Sequence, residues 1–390
     1  MRKILTLNKI DAAGLALLPL DDYEIGTEIK SPDAILVRSF KMHDMKLPES
    51  LLAIGRAGAG TNNIPVDKCL EKGIVVFNSP GANANAVKEL VIAGLFLSSR
   101  DIYQGIVYSQ SLQGKGDDVS TLVEKNKENY AGCEIAGKTL GVIGLGKIGV
   151  MVANAALDLG MKVVGLDPFI SVESAWGLSK DVSRAIGIDG LLAECDYISI
   201  HTPLNDATKG MLNEGKFKVM KKGMRILNFS RGGIVNNEDL KKAIDNGIVA
   251  RYVTDFPDEE LLGINQVIPI PHLGASTAEA EVNCAVIVTS QVKDFLENGN
   301  IVNSVNYPNA TLPINSKFRL IIMNKNVPNM VGQISAVLAE RNVNIIEMLN
   351  KSKGEYAYNI IDVENELDEK TIKTLQGIKG VVKVRFIVIQ

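Results

Sequence analysis

The sequence predicts an α/β chain with two series of parallel strands, the second a complete doubly wound sheet, followed by a small α+β unit. Three observations predict this. Short Val- and Ile-rich runs alternate with helix-length amphipathic segments from residue 3 to residue 272, the rhythm of parallel strands joined by crossovers. A polar stretch from Gly105 to Cys133 divides that rhythm in two. From Phe318 onward the pattern becomes βαββαβ within 73 residues, the order of a ferredoxin-like unit.

The first series is KILTLN (3–8), AILVRS (34–39), LLAIGRAG (51–58) and IVVFNSP (74–80). Residues 84–103 repeat their apolar positions at helical spacing without proline, and their length favours a helix. The polar residues 105–133 show no core face and are expected to be a loop-bearing connection. The second series runs KTLGVIG (138–144), MKVVGLD (161–167), DYISIH (196–201), MRILNFS (224–230), ARYVTDF (250–256) and QVIPIPH (266–272). A long helix is expected over 279–299, ending at Gly299, a residue type favoured just beyond a helix end. Residues 302–316 carry Pro308 and Pro313 among many Asn and Ser, and are expected to be a linker before a separate small domain.

With 390 residues, 46% hydrophobic and 22% charged, the chain is expected to be globular and to hold several domains. Its 42 basic and 45 acidic residues leave a formal charge of −3, so no general positive field attracts nucleic acid or anionic lipid. Cys69, Cys133, Cys195 and Cys284 lie far apart with no CxxC pair, which points to a reduced, cytoplasmic setting. No apolar run is long enough to span a membrane, and no cluster has metal-ligand spacing.

The strongest local motif is Gly144-Leu145-Gly146-Lys147-Ile148-Gly149, set between strand KTLGVIG and a helix. Its first glycine allows the tight turn, the second lets the backbone approach a diphosphate, and the third permits close helix packing. Asp167 follows eighteen residues after Gly149 at the end of the next strand, placed to accept ribose hydroxyls and repel a 2′-phosphate. NAD is therefore expected over NADP.

Hydride transfer to or from a 2-hydroxy acid needs a cation for the carboxylate and carbonyl, a base for the hydroxyl proton, and a carboxylate behind that base. Of His43, His201 and His272, the last two end predicted strands, where open α/β sheets bind ligands. His201 is either a cofactor contact or strand-end filler, whereas His272 sits in the constrained loop Pro271–Gly274. Arg231 stands in SRGG at another strand end. Glu259 and Glu260 follow ARYVTDF, as a site carboxylate or as a solvated acidic loop.

In order and spacing, GLGKIG, HTPLNDATKGMLNEGKF, NFSRGGIVNNEDL, DFPDEE and PHLGAST resemble the D-2-hydroxyacid dehydrogenase family along essentially the whole chain. The resemblance implies two Rossmann-like domains with a ligand cleft between them. A split substrate domain would occupy residues 1–98 and 280–310, with an NAD domain inserted at 99–279. It implies Arg231 as the carboxylate-binding arginine, His272 as the acid/base and Glu259 as its partner. It also implies Asp167 at the ribose, and His201, Thr202, Pro203, Ser230, Asp255 and Gly274 lining the cofactor with Gly144, Gly146, Lys147, Ile148 and Gly149. Arg38, Ser39, Arg56 and Asn83 match substrate-side loops. Two guanidinium forks suit a phosphorylated acid, 3-phosphoglycerate, over glyoxylate, hydroxypyruvate or D-lactate. The sequence departs from the family at DFPDEE, where Asp255 stands one position later than the usual Asp and Thr254 takes its place.

The C-terminal unit, residues 317–390, resembles an ACT regulatory domain. That resemblance implies effector contacts at Asn324, Asn326 and Asn344, with L-serine as the expected effector and Asn324 standing where a histidine is common. A homodimer or homotetramer is implied as well. A non-enzymatic NAD-sensing regulator on the same scaffold is the reading from another class, opposed by the metabolic-type small domain.

Overall fold

The structure, a computed structural model, describes residues 1–389. The chain divides into two compact units, residues 1–83 with 278 onward, and residues 84–277.

In the first unit, β1 (Arg2–Leu7), β2 (Tyr23–Gly26), β3 (Ala34–Val37), β4 (Ala53–Arg56) and β5 (Val75–Asn78) form a parallel sheet in the order β2-β1-β3-β4-β5. Every residue of β3 is buried, as expected of a strand covered on both faces. The helix Ala278–Asn298 returns to cover one face. It comes close because Gly55 has no side chain: a Cβ there would stand 2.8 Å from Val292 and 2.9 Å from Val288. Phe295 packs on Phe77 with ring centroids 5.6 Å apart. The helix ends as expected, with Gly299 left-handed at φ 72° and its N–H bonded to Phe295 O.

The second unit contains β6 (Thr139–Ile143), β7 (Lys162–Leu166), β8 (Ser183–Arg184), β9 (Tyr197–Ile200), β10 (Met224–Asn228), β11 (Val249–Thr254) and β12 (Val267–Pro269). All neighbours are parallel, in the order β12-β11-β10-β9-β6-β7-β8. Strand order reverses between β6 and β9, the switch point at which such sheets bind ligands beyond their carboxyl ends. The last strand stops at Pro269, shorter than the sequence pattern implies, because its two prolines remove ladder donors.

The helix Ala84–Ser99 belongs to the second unit, which moves the boundary expected near residue 98 to residue 83. Its Val87, Val91 and Leu95 enter the core with Leu140, Val150, Ala153 and Leu227. Gly94 admits this approach, since a Cβ there would lie 3.0 Å from Leu227 and the Phe229 ring. The polar stretch expected to be a loop-bearing connection is largely helical, at Ile102–Ser111, Asp118–Asn126 and a 3-10 turn Lys127–Tyr130. Tyr108 stacks on Tyr130 at 5.3 Å and donates to Leu122 O, local contacts that supply what the polar sequence lacks.

At the C-terminus, β13 (Phe318–Lys325), β14 (Ile345–Lys353), β15 (Tyr356–Val363) and β16 (Val381–Val388) form an antiparallel sheet ordered β14-β15-β13-β16. This is the expected ferredoxin-like order. Period-two alternation sends Leu320, Ile322, Ile361 and Val363 toward the helices Met330–Glu340 and Glu369–Gln376. The other face, with Ile321, Met323, Tyr358, Ile360 and Ile387, joins the core of the first unit beside Phe295 and Tyr307.

The linker expected at 302–316 is instead woven into the first sheet. Ser304 bridges Phe77, Val305 N–H donates to Val76 O, and the Asn306 amide pairs with Val76 N and Ile74 O. Asn306 thus satisfies the open edge of β5 in place of a further strand, and Tyr307 is fully buried. Arg319 and Asp362, both without solvent exposure, pair at 2.6 Å while Arg319 also donates to Asn298 O and Pro313 O. The small sheet is therefore docked on the first unit, not tethered beside it. Among the described residues, no single helix is long and apolar enough to cross a membrane.

Candidate active site

Because the second unit's strands all run parallel, their carboxyl ends share one edge, and the candidate residues line it in sheet order. The glycine loop follows β6, Asp167 follows β7, His201 to Pro203 follow β9, Ser230 and Arg231 follow β10, Asp255 follows β11 and His272 follows β12.

The glycine loop fits a dinucleotide diphosphate. Gly144 is left-handed at φ 93°, and a Cβ there would meet His201 O at 2.7 Å, so the turn requires glycine. A Cβ on Gly149 would fall 1.9 Å from Gly144 O, so glycine lets the helix Lys147–Asp158 begin against the loop. Gly146 is different, with only open space where its Cβ would lie. That helix has no side-chain cap, and Val150 N–H is the first to bond back, to Gly146 O. The preceding N–H groups are the unpaired donors of a helix start, suited to an anion. Lys147 is exposed beside them, and Ile148 packs toward the core.

Asp167 accepts Leu145 N–H at 2.8 Å through Oδ2 and Phe169 N–H at 2.8 Å through Oδ1. It braces the glycine loop, and each oxygen keeps a lone pair for a ribose hydroxyl. His201 Nε2 lies 2.8 Å from Ser199 Oγ, and burial pushes its imidazole down to about 4, so it stays neutral at pH 7. Thr202 Oγ1 beside it is buried without a protein partner, an orphan donor facing the same loop region.

Arg231 is exposed on a turn held by Asn228, a residue the sequence reading passed over. The Asn228 amide donates to Arg231 O at 2.9 Å and to Tyr252 OH at 3.1 Å, while its Oδ1 accepts from Ser230 N and Oγ. An Asn closing a strand just before SRGG was the available signal. His272 is exposed, left-handed at φ 50°, with its ring 4.7 Å from the Phe256 ring.

Asp255 is 1% exposed, and its Oδ2 accepts Gly274 N–H at 3.1 Å while Oδ1 is buried without a partner. Burial pushes its carboxyl above the usual carboxylate range, opposed by the Gly274 bond and by the charges of His272 and Arg231. Thr254 completes β11 opposite Asn228, so the one-residue displacement of the acid places Asp255 just past the strand end. Glu259 and Glu260 are exposed on the following loop, and Glu260 lies 3.5 Å from Lys241.

In the first unit, Arg38 and Ser39 follow β3, Arg56 ends β4, and Asn83 ends the turn after β5. Arg56 Nε donates to Arg38 O, and Gly58, left-handed at φ 144°, gives the guanidinium room: a Cβ there would meet Arg56 Nη1 at 1.9 Å. Ser39 N–H and Phe40 N–H both donate to Asn8 Oδ1. Arg38 Nη2 is paired with Glu281 Oε1 at 2.5 Å.

Of the three effector candidates, Asn324 is 1% exposed, its amide donates to Lys325 O, and its Oδ1 accepts from Asn359, so it is bonded within the small sheet. Asn326 and Asn344 are exposed.

Comparison with known proteins matches residues 101–274 to the family described as D-isomer specific 2-hydroxyacid dehydrogenase, NAD binding domain. The D-3-phosphoglycerate dehydrogenase of Escherichia coli (strain K12) is 30% identical over 385 residues, covering 94% of this chain and 90% of that protein. The enzyme of the same name from Synechocystis is 34% identical over 364 residues, covering 87% of this chain and 63% of its own length. The chain thus spans about six tenths of the length of the first curated relatives it matches. Among solved structures, the NAD+-bound 3-phosphoglycerate dehydrogenase of Entamoeba histolytica matches with a TM-score of 0.61 and 27% identity, over 78% of this chain and 98% of that one. With the site's order along the sheet edge and a relative covered almost end to end, the chain belongs to the D-2-hydroxyacid dehydrogenase family.

Proposed function

We propose that this chain is an NAD-dependent D-3-phosphoglycerate dehydrogenase, interconverting 3-phospho-D-glycerate and 3-phosphohydroxypyruvate at the start of phosphorylated serine synthesis. The observation that carries the reading is the succession of Arg231, Asp255 and His272 at the ends of adjacent strands, on the edge that also holds the diphosphate-fitting glycine loop. The names of similar proteins support the substrate.

A bound nicotinamide supplies the hydride acceptor for C2 of the hydroxy acid, or the donor in reverse. This chain's residues do the rest. Arg231 orients the substrate carboxylate and polarises the C2 oxygen through a forked guanidinium. His272 takes the C2 hydroxyl proton as the carbonyl forms and returns it in the opposite direction. The unpaired N–H groups at Lys147–Gly149 and the neutral His201 hold the dinucleotide, with Asp167 at its ribose. Arg56, Arg38, Ser39 and Asn83 are assigned to the substrate's carboxylate and phosphate.

Regulation by L-serine through the C-terminal unit at Asn326 and Asn344, assembly as a homodimer or homotetramer, and a cytoplasmic setting complete the proposal. Calorimetry with millimolar L-serine tests the first; absence of heat rejects it.

A second reading, an enzyme for an unphosphorylated acid such as glyoxylate or hydroxypyruvate, is favoured by one observation: Glu281 already neutralises Arg38. The deciding experiment follows NADH oxidation with 3-phosphohydroxypyruvate, glyoxylate, hydroxypyruvate, pyruvate and 2-oxoglutarate. The highest kcat/KM on the phosphorylated acid is expected, and the highest value on any other overturns the named substrate.

A further inference from the structure

We propose that Glu281 determines specificity on the substrate side: its carboxylate occupies the Arg38 guanidinium as a built-in competitor, which the distal anion of an incoming acid has to displace. This rests on the reading of Arg38 as a substrate-side group. The ion pair that favours an unphosphorylated acid thereby becomes the setting for how strongly a phosphate is preferred.

Arg38 is held for presentation. Its carbonyl accepts Arg56 Nε–H at 3.1 Å and the Asn63 amide at 3.4 Å, and that amide also donates to Phe40 O at 2.9 Å. Asn8 Oδ1 receives the N–H groups of Ser39 and Phe40. The backbone of residues 38–40 is thus fixed through both its donors and its acceptors, while the Arg38 side chain stays 41% exposed. Its one ion pair among the described residues is with Glu281, Nη2 to Oε1 at 2.5 Å.

Glu281 is fixed as well, because it stands in the first turn of the helix Ala278–Asn298 and that helix is pinned along its length. A Cβ on Gly14 would lie 2.7 Å from the Ala285 carbonyl carbon, and Val288 and Val292 fill the space over Gly55. At the far end the small sheet supplies the donors that a helix terminus lacks. Arg385 donates to the carbonyls of Phe295 and Leu296, Arg319 to that of Asn298, and Tyr358 to that of Gly299. Glu279, two residues before Glu281, is exposed, and helix positions two apart do not share a face.

Charge decides what the pair does. Arg38, Arg56 and Glu281 together leave one net positive charge where the two forks alone would leave two. A distal hydroxyl has no charge to place against either fork. A phosphate monoester, with about 1.5 to 2 negative charges at neutral pH, has to take Arg38 from Glu281 and then sit beside a like charge. Both costs fall on the phosphorylated acid alone. An exposed ion pair is weak enough to be displaced, so Glu281 tunes the preference without closing the site.

Glu281→Gln in the full-length protein keeps the shape of the side chain and removes its charge. The kcat/KM for 3-phosphohydroxypyruvate divided by that for hydroxypyruvate is expected to rise about tenfold over wild type, the gain lying in KM, since freeing the fork and relieving the like charge each account for a few-fold. Glu279→Gln makes the same charge change on the same helix and is expected to hold the ratio within about twofold of wild type. In an Arg38→Gln background, Glu281→Gln is expected to change the ratio by less than about twofold, because the competitor has lost what it held. A ratio that stays or falls in Glu281→Gln, or that rises as much in Glu279→Gln or without Arg38, overturns the proposal. Arg38→Gln alone separates the two ways of failing. If it leaves KM for the phosphorylated acid unchanged, the substrate-side reading of Arg38 falls and the proposal with it; if it raises that KM while Glu281→Gln does not lower it, the proposal alone falls. Should neither acid turn over, the calorimetric dissociation constant of inorganic phosphate takes the place of the ratio, with the same variants: a several-fold fall in Glu281→Gln that needs Arg38 supports the proposal, and no fall overturns it.

Discussion

Replacing Gly146 with Ala separates what the glycine loop does for a ligand from what it does for the fold. Gly146 has φ −72° and ψ −170°, a backbone any residue adopts, and its Cβ would meet nothing within 4 Å. The protein therefore tolerates the methyl, and restricting the unfolded chain adds about 0.4–1 kcal/mol of stability. A ligand does not tolerate it, because the methyl fills the space through which a diphosphate reaches the helix start. Losing one or two charge-assisted N–H bonds at about 1.5–3 kcal/mol each comes to about 3 kcal/mol. That raises the NADH dissociation constant about 100-fold. Gly149→Ala is the opposite case: its methyl would lie 1.9 Å from Gly144 O, so the loop must shift and the fold is weakened. NADH fluorescence titration with thermal melting reads both effects. Wild-type NADH affinity in Gly146→Ala, or a melting temperature well below wild type, would refute the assignment of this loop to the diphosphate.

Arg231→Lys should lower kcat/KM about 100-fold with NADH affinity intact, since a point charge cannot replace a fork; a loss under fivefold would remove Arg231 from the substrate carboxylate. Asp362→Asn should cost about 3–5 kcal/mol, because it leaves a fully buried guanidinium without its counter-ion. Urea unfolding followed by far-ultraviolet circular dichroism measures this, since the sole tryptophan, Trp176, belongs to the other unit; a loss under 1 kcal/mol would contradict it. Lys383 donates to Leu51 O, and burial pushes its ammonium down to about 8. Between pH 8 and the unfolded value near 10.4 the unfolded chain binds more protons, so this group's contribution to stability rises with pH across that window. The melting temperature of wild type should gain on that of Lys383→Met from pH 8 to pH 10, and a difference flat with pH would show the ammonium to be solvated.

Much of the site is legible in the sequence because its parts are local. A glycine loop between strand and helix, an acid at the next strand end, and Arg231 and His272 closing later strands are all readable from short spacing patterns. Parallel topology then brings strand ends to one edge without further information. Asn228 escaped notice because its work is to hold other backbone groups, which no spacing reveals.

What the sequence by itself determined is therefore the α/β class, the order of strands and helices, the ferredoxin-like C-terminal unit and the residues presented at strand ends. These follow from periodicities of 2 and 3.6 and from turn chemistry, which act over a few residues. Only the tertiary structure decided the rest. Residues 302–316 read as a linker because Asn and Pro are common in loops, yet Asn306 completes the edge of β5 and Tyr307 is buried against it. Asn324 read as an effector contact, and only the fold shows that Asn359, 35 residues away, donates to its oxygen. Asp255 read as a cofactor contact and Glu259 as the partner of His272, and only the fold shows the first buried and the second exposed. In each case the outcome depends on which distant group supplies a hydrogen bond or excludes water, and local sequence does not encode that partner.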